Sequence, residues 1–166
     1  MVIAILRRLG RRLPAFFMRF MFNLYPPYIG AGIKIEEISP DYLYLRVCLK
    51  LRFYNRNYVG TQFGGSIYAM TDPHYMFLIM NNLGPEYIVW DKAAKVDFLK
   101  PGKTHLYAEF KIDDELLNKI KLATREGAKF VFDLPVNVVD QNHQLIAHVS
   151  KTLYVRKKST LKSLVN

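Results

Sequence analysis

The sequence contains a single cysteine, Cys48, and four histidines. One cysteine excludes an internal disulfide, and no spacing of Cys and His residues predicts a metal site. A lone free cysteine fits a reducing compartment, so we expect a cytoplasmic protein. The apolar stretches at residues 1–6 and 65–83 are too short or too interrupted for a membrane-spanning helix, which needs about 20 apolar residues.

Acidic residues are also scarce: 14 Asp and Glu stand against 24 Lys and Arg, and the formal net charge is +10. Such a balance favours anionic partners, either nucleic acid, anionic lipid or a phosphate-bearing small molecule. Much of the excess lies in two clusters: Arg7, Arg8, Arg11 and Arg12, and Arg156, Lys157, Lys158 and Lys162. These clusters could equally do no more than solvate the two ends of the sequence. No nucleic-acid-binding motif accompanies the charge, so we expect no nucleic acid partner.

Residues 1–12 begin with six apolar residues and continue with arginines. A secretory signal has the opposite order, so this segment is not predicted to be one. It could form a short cationic amphipathic helix that contacts a membrane surface weakly. The alternative is a helix that packs on its own domain or on a partner subunit.

Hydrophobic residues make up 51% of the 166-residue chain, with 11 Phe and 11 Tyr. That length and composition predict one domain with a large core and exclude a disordered chain. We place a basic, amphipathic helical segment at residues 1–25 and the folded core at residues 30–156. Pro14 opens a helix whose apolar residues recur at helical spacing, and Pro26-Pro27 ends it.

Period-two alternation predicts six strands, at residues 31–38, 42–52, 87–99, 103–112, 129–139 and 144–156. In the second strand Cys48 falls on the wetter of the two faces. The segment Asp140–His143 joins the last two strands as a hairpin turn. A further helix is predicted to begin at Asp113 and to be closed by Gly127.

Residues 65–83 are apolar on nearly every side, so a helix here must be surrounded by protein. Pro73 removes a helix hydrogen bond, and we expect a kink there. Hairpin-sized connections and the lack of βαβ units predict an α+β fold. The economical arrangement is a curved antiparallel sheet wrapped around this central apolar helix.

The segment Asn57-Tyr-Val-Gly60-Thr-Gln-Phe63-Gly64-Gly65-Ser66-Ile-Tyr-Ala-Met-Thr71-Asp72 resembles the active-site segment of hotdog acyl-CoA thioesterases of the phenylacetate-pathway type. In that family an Asn precedes a His-Gly-Gly turn, the central helix begins at the glycines, and a catalytic Asp or Glu follows eight residues after the first glycine. The stretch from Trp90 to Gly102 resembles the family's strand that ends in Phe-Leu-Lys-Pro. The resemblance covers about residues 30–156, and it is closest to a poorly characterised thioesterase-like branch that carries Phe-Gly-Gly and Asp-Pro.

This resemblance implies a hotdog fold, here with an extra N-terminal helix, and hydrolysis of acyl-CoA or another acyl-carrier thioester. It implies no cofactor, because coenzyme A is part of the substrate. Asp72, Gly64 and Asn57 match the family's catalytic positions. The neighbouring residues of the motif are implied to bind substrate: Gly65, Phe63, Ser66, Thr61, Gln62 and Thr71.

Elementary chemistry is consistent with these roles. The amides of Gly64 and Gly65 at a helix start lack intrahelical acceptors and could stabilise an oxyanion. Burial of Asp72 in an apolar helix is expected to raise its pKa and to make it a base that activates water. Alternatively, Asp72 attacks the thioester directly. A purely structural role for the glycine turn and the carboxylate also stays open.

Two residues depart from the family pattern. Phe63 replaces the usual His, and Pro73 directly follows Asp72. These departures motivate a second hypothesis, a non-catalytic hotdog protein that binds acyl groups or acyl-CoA and contacts a membrane surface. We interpret His74 as a structural or pocket-rim residue, because residues two apart on a helix point in different directions.

On one helix Gly64 and Asp72 would stand about 12 Å apart along the axis, too far to contact one thioester carbon. We therefore predict that each site combines Gly64 and Gly65 of one subunit with Asp72 of another, in a homodimer or a dimer of dimers. Basic residues that end strands are candidates for binding the phosphates of coenzyme A: Lys100, Lys103 and Arg156.

Overall fold

The computed structural model describes residues 13–158. The predicted cationic segment, residues 1–12, lies outside the described residues, as do residues 159–166. Among the residues that are described, no helix is both long enough and apolar enough to cross a bilayer.

Six strands form one antiparallel sheet. They are β1 (Ile33–Ile38), β2 (Tyr44–Leu49), β3 (Tyr87–Phe98), β4 (Leu106–Lys111), β5 (Lys129–Asp140) and β6 (Leu145–Lys157). Their order across the sheet is β1-β2-β4-β5-β6-β3, and every neighbouring pair is antiparallel. All six correspond to predicted strands, and the helices that accompany them confirm the α+β class.

Two short helices precede the sheet: α1 (Ala15–Asn23) and α2 (Pro26–Ala31). The sequence predicts the first but not the second, since Pro26-Pro27 is interpreted there only as a stop. Proline is tolerated in the first turn of a helix, where the N–H groups have no intrahelical partner. The same two prolines therefore end α1 and begin α2.

The central helix is interrupted. Helix α3 (Gly64–Ala69) and helix α4 (His74–Leu83) are separated by residues 70–73, so the prediction of one continuous helix over residues 65–83 is wrong. Proline cannot donate a backbone hydrogen bond, and it disfavours helical geometry at the residue before it, so the helix stops rather than kinks. The Asp72–Pro73 peptide bond is cis. Because residues 70–73 separate the two helices, Asp72 lies in the joint between them.

The core surrounds α4, as its apolar sequence predicts. Leu78 and Ile79 of α4 have no exposed surface, and they belong to the same buried cluster as Leu45 of β2 and Phe110 of β4. Cys48 is also buried, with 1% of its surface exposed, which corrects its predicted place on a wet face. On that face the cross-strand neighbours of Cys48 are Lys34 of β1 and Tyr107 of β4, and side chains of this length shield the small thiol from solvent. Burial raises the pKa of the Cys48 thiol.

Helix α5 (Asp114–Ala123) lies between β4 and β5. The side chain of Asp113 accepts a hydrogen bond from the backbone N–H of Leu116 at 2.8 Å, which caps the helix start as predicted. A short 3-10 turn, Arg125–Gly127, follows, and Gly127 adopts a φ of 81° that closes the segment.

Strands β6 and β3 position the candidate site. The inward-facing residues of β6 are all buried: Ala147, Val149, Lys151, Leu153 and Val155. On β3, Tyr87 and Val89 are buried in the same alternating manner, and Asp91 continues their row. Each of these two apolar rows therefore carries one charged residue into the interior.

Candidate active site

A buried lysine from the sheet contacts the acid in the helix joint. The Nζ atom of Lys151 lies 2.8 Å from Oδ1 of Asp72 and donates a hydrogen bond to it. The Lys151 side chain has no exposed surface, whereas 42% of the Asp72 side chain is exposed. Burying an ammonium group without a counter-charge is costly, and this ion pair explains how β6 accommodates a lysine in its apolar row.

Asp91 is a second acid beside the same lysine. Its Oδ2 atom lies 3.3 Å from Nζ of Lys151, and 14% of its side chain is exposed. Neither carboxylate oxygen makes a hydrogen bond of acceptable geometry to a described residue, so the contact is an ion pair only. Burial, together with the adjacent Asp72, raises the pKa of Asp91 to about 6. Two acids thus share one buried cation.

The pKa of Asp72 is held below its ordinary value. Desolvation pushes this pKa upward, but the hydrogen bond and the charge of Lys151 outweigh that effect. The prediction that burial raises the pKa of Asp72 is therefore wrong. The counter-charge lies 79 residues away in the chain and is not visible from the local sequence. Asp72 is ionised at neutral pH.

An apolar groove of about 540 Å³ opens beside Asp72. We call it the Asp72 groove, and its lining is Met18, Met21, Phe22, Tyr25, Pro27, Tyr28, Tyr68, Ala69, Asp72 and Pro73. Asp72 contributes the charge to a lining that is otherwise neutral and largely apolar. The hydroxyl of Tyr28 donates a hydrogen bond to the backbone oxygen of Asp72 at 2.5 Å, which fastens α2 to the joint.

A second cavity, of about 310 Å³, lies at the start of α3. We call it the Gly64 cavity; Lys100 also lines it. Helix α3 begins without a side-chain cap, and its first amides have no intrahelical acceptor. A Cβ atom on Gly65 would overlap the ring of Phe63, and one on Gly64 would lie 3.2 Å from the ring of Phe98. The two glycines therefore allow aromatic rings to pack over the start of α3.

The polar residues of the preceding loop hold its shape. Asn57 donates through Nδ2 to Oγ1 of Thr61 at 2.9 Å and to the backbone oxygen of Gln62 at 3.1 Å. Gln62 donates through Nε2 to the backbone oxygens of Leu49 at 3.1 Å and Thr104 at 3.0 Å. Asn57, Thr61 and Gln62 all line the Gly64 cavity, so the structure brings these three predicted residues together with Gly64.

Ser66, Thr71 and His74 are buried and line neither cavity. The Thr71 hydroxyl donates to the backbone oxygen of Tyr68 at 2.8 Å. The Nε2 atom of His74 lies 3.0 Å from the backbone oxygen of Met70. Burial lowers the pKa of His74 to about 3, so the ring is neutral. Of the two interpretations of His74, the structural one agrees with this position.

Within one chain, Gly64 and Asp72 face different cavities. The Gly64 cavity and the Asp72 groove share no lining residue. The axial distance expected for a continuous helix does not apply, because the helix is broken. Separation of the two cavities nevertheless leaves the glycine amides and the acid apart. Lys103 and Arg156 line neither cavity.

Two residues of the site, Lys151 and Asp91, are not predicted from the sequence. A signal for them exists, because each is a charged residue at an inward position of an alternating strand. Lys151 stands between Val149 and Leu153, and Asp91 follows Val89. A charge at such a position requires a buried counter-charge.

Similar solved structures identify the fold. A Pseudomonas aeruginosa protein of unknown function called a probable thioesterase matches with a TM-score of 0.77 at 17% identity, over 89% of this chain and 99% of that one. A thioesterase from Haemophilus influenzae matches at 0.64 and 13% identity, over 89% and 94%. The PaaI protein of E. coli, from the phenylacetic acid degradation operon, matches at 0.58 and 17%, over 86% and 91%. The chain has the hotdog fold, as predicted.

The family follows from the sequence match. Residues 14–155 match the family described as a domain of unknown function, DUF4442. The chain belongs to this family. No curated protein matches it.

Proposed function

We propose that the protein hydrolyses thioesters of acyl chains carried by coenzyme A or another acyl carrier. The observation that carries this proposal is the position of Asp72, an ionised carboxylate held by Lys151 at an apolar groove of about 540 Å³. Burial of each methylene contributes about 0.8 kcal/mol, so such a groove suits an acyl chain. The names of two similar structures, a probable thioesterase and a thioesterase, also support the proposal.

In the proposed reaction the Asp72 carboxylate accepts a proton from water while the water oxygen bonds to the thioester carbonyl carbon. The carbon–sulfur bond then breaks, and the departing thiolate takes the proton from Asp72. In the other route Asp72 attacks the carbonyl carbon, expels the thiolate, and water hydrolyses the resulting anhydride. Both routes require an ionised Asp72.

The proposed oxyanion donors are the amides of Gly64 and Gly65 from a second copy of the chain. Gly64 and Asp72 of one chain line separate cavities, so the proposed site needs a homodimer, alone or paired into a dimer of dimers. In this proposal Asn57 acts by shaping the loop beside the carbonyl, and Lys100, which lines the Gly64 cavity, binds a phosphate of coenzyme A. A monomer that hydrolyses thioesters would contradict this assembly.

The test is thiol release from CoA thioesters of short, medium and long acyl chains. Asp72→Asn keeps the shape of the side chain and removes its charge, and we expect kcat to fall by about 100-fold or more. Asp97→Asn is the matched control, because Asp97 is an exposed aspartate that pairs with Lys95 at 3.1 Å. Failure of the wild type to release thiol from any chain, or full activity of Asp72→Asn, would refute the proposal.

One observation favours a second function, binding of acyl groups or acyl-CoA without hydrolysis. The ring of Phe63 packs over Gly65, where the proposed oxyanion would be stabilised. In this case the wild type binds acyl-CoA, measured by calorimetry, but releases no thiol. Turnover by the wild type would eliminate this alternative.

A further inference from the structure

Three charged groups lie together at the Asp72 groove, but they differ in access to it. The side chain of Asp72 is 42% exposed, that of Asp91 is 14% exposed, and that of Lys151 is fully buried. Of the three, Asp72 alone lines the groove. Lys151 and Asp91 can therefore act on a molecule in the groove only through Asp72.

We propose that Lys151 is a positioning residue: its ammonium group fixes the Asp72 carboxylate at the groove and keeps it ionised, while Asp91 competes for the same ammonium group. The kinetic part of this inference rests on the proposed thioester hydrolysis. The electrostatic part can be measured on the protein alone.

The distances show that Lys151 interacts more closely with Asp72 than with Asp91. Lys151 is 2.8 Å from Asp72 with a hydrogen bond, and 3.3 Å from Asp91 without one. When both acids are ionised the cluster has a net charge of −1, and the acids repel each other. Protonation of Asp91 leaves the ammonium group to Asp72. Removal of Lys151 should therefore raise the pKa of Asp72, whereas replacement of Asp91, which is already uncharged at the pH where Asp72 titrates, should leave that pKa nearly unchanged.

The other titratable groups around Asp72 come from α2, α3 and α4: Tyr28, Tyr68 and His74. Burial lowers the pKa of His74 to about 3, and burial together with Asp72 raises the pKa of Tyr28. Both groups are uncharged near neutral pH. The Tyr68 ring lies over the lysine, with its centre 5.2 Å from Nζ of Lys151. Among residues 13–158, Lys151 and Asp91 are thus the charged groups that act on Asp72.

The kinetic test compares pH profiles of kcat/KM. Lys151→Met keeps the length of the side chain and removes the charge, so the acid limb should move to higher pH by about one to three units. Asp91→Asn is the matched control: Asp91 has a pKa of about 6 and is already uncharged in the acid limb, so this limb should stay in place. Lys151→Arg should return the limb toward that of the wild type, and KM should change little, because neither residue lines the groove. A merely structural role of Lys151 would lower the amount of folded enzyme and leave the acid limb of Lys151→Met in place, which would overturn the inference.

A second readout separates this inference from the proposed function. Carboxyl carbon NMR of aspartate-labelled protein gives the pKa of Asp72, whose signal is assigned by its loss in Asp72→Asn. A higher Asp72 pKa in Lys151→Met than in the wild type supports the inference even if no thioester is hydrolysed. An unchanged pKa overturns it even if hydrolysis occurs. If Lys151→Met does not fold, Lys151→Gln gives the same test, with a higher Asp72 pKa expected and an unchanged one contradicting the inference.

A separate observation concerns the outer side of α1 and α2. Large hydrophobic residues are more than half exposed along this side: Phe16, Phe20, Leu24, Tyr25 and Ile29. The described residues 13–35, which include this side, contain two basic residues, Arg19 and Lys34, and no Asp or Glu. In the sequence they are preceded by four arginines, Arg7, Arg8, Arg11 and Arg12.

We infer that this side, the α1–α2 face, binds the surface of an anionic lipid bilayer. Aromatic side chains would insert among the headgroups, and the basic residues would meet lipid phosphates. Tyr25 belongs both to this exposed face and to the lining of the Asp72 groove, and Met21 of the same lining is 37% exposed. The groove therefore opens beside the face that would contact lipid.

Co-sedimentation with vesicles tests this inference. We expect the full chain to bind vesicles that contain phosphatidylserine, less so as salt rises, and to bind pure phosphatidylcholine vesicles weakly. The double variant Phe16→Ser/Phe20→Ser should lose at least tenfold in binding, whereas Phe53→Ser, at an 88% exposed residue outside the face, should not. Absence of binding to phosphatidylserine vesicles overturns the inference. So does a double variant that changes oligomeric mass but keeps vesicle binding, because the face would then lie between copies of the chain.

Discussion

The Nζ atom of Lys151 and the Oδ1 atom of Asp72 lie 2.8 Å apart, although 79 residues separate them in the chain. The lysine comes from a sheet strand and the aspartate from the joint between two helices. Only the folded chain forms this pair. The ionisation of the groove acid consequently depends on the sheet as much as on the helices.

Asp91→Asn should gain stability relative to the wild type as pH rises from 4 to 7. The fold raises the pKa of Asp91 from 3.8 to about 6, so the native state binds more protons than the unfolded state in this window. Wild-type stability therefore falls as pH rises through it. Between pH 4 and 7 we expect the unfolding free energy of the variant to increase, relative to that of the wild type, by about 1 to 3 kcal/mol when solvent screening is included. Urea unfolding at pH 4, 5.5 and 7 measures this difference in unfolding free energy, with Asp97→Asn as the control. If the difference between Asp91→Asn and the wild type did not vary with pH, the raised pKa of Asp91 would be contradicted.

His74→Phe should make the fold less sensitive to acid. Burial lowers the pKa of His74 from 6.5 to about 3, so below pH 6.5 the unfolded state binds a proton that the native state does not. Wild-type stability thus falls as pH decreases through this range, and Phe removes that loss. Between pH 7 and 4.5 the variant should gain about 2 to 3 kcal/mol on the wild type.

Thermal unfolding at pH 7, 5.5 and 4.5 measures the effect of His74→Phe. His143→Asn is the control, because His143 lies exposed in a turn with a φ of 59°, which Asn tolerates. If the unfolding temperatures of the wild type and His74→Phe changed in parallel with pH, His74 would not be buried in its neutral form.

Gln62→Ala should destabilise the loop that leads into α3. The variant loses hydrogen bonds to the backbone oxygens of Leu49 and Thr104, and both acceptors are left without this donor. We expect a cost of about 1 to 3 kcal/mol in guanidinium unfolding. Gln141→Ala, at an exposed turn residue, should stay within about 0.5 kcal/mol of the wild type. Equal effects of the two substitutions would contradict the anchoring role of Gln62.

Periodicity predicts much of the fold, because a half-buried strand and a surrounded helix each leave a local pattern. All six strands and the central apolar segment are found in this way. The break at Pro73 and the helix at Pro26 are not, since the same residue type ends one helix and begins another. Burial of Cys48 is missed because it depends on which strands lie on either side of β2.

The candidate site is predicted in part for the same reason. The motif brings Gly64, Asn57 and Gln62 to one cavity because they are close in sequence. Lys151 and Asp91 reach Asp72 only through the register of β6 and β3. The ionisation of Asp72 follows from that register. The apolar residues next to Asp72 in the sequence predict a raised pKa, whereas the pKa in the structure is lowered.

The joint at residues 70–73 separates two requirements that a single continuous helix would have to meet together: an apolar surface for packing in the core and a charged side chain at the groove. Helix α4 contains no Asp, Glu, Lys or Arg, because the charged residue lies outside it. Exchange of Leu78 or Ile79 for another apolar residue therefore changes the packing of the core without removing the counter-charge of Lys151. Conversely, replacement of Asp72 leaves the buried Lys151 with one acid fewer beside it and does not change the apolar surface of α4. The two parts of the segment are thus constrained by different neighbours, one by the core and the other by Lys151.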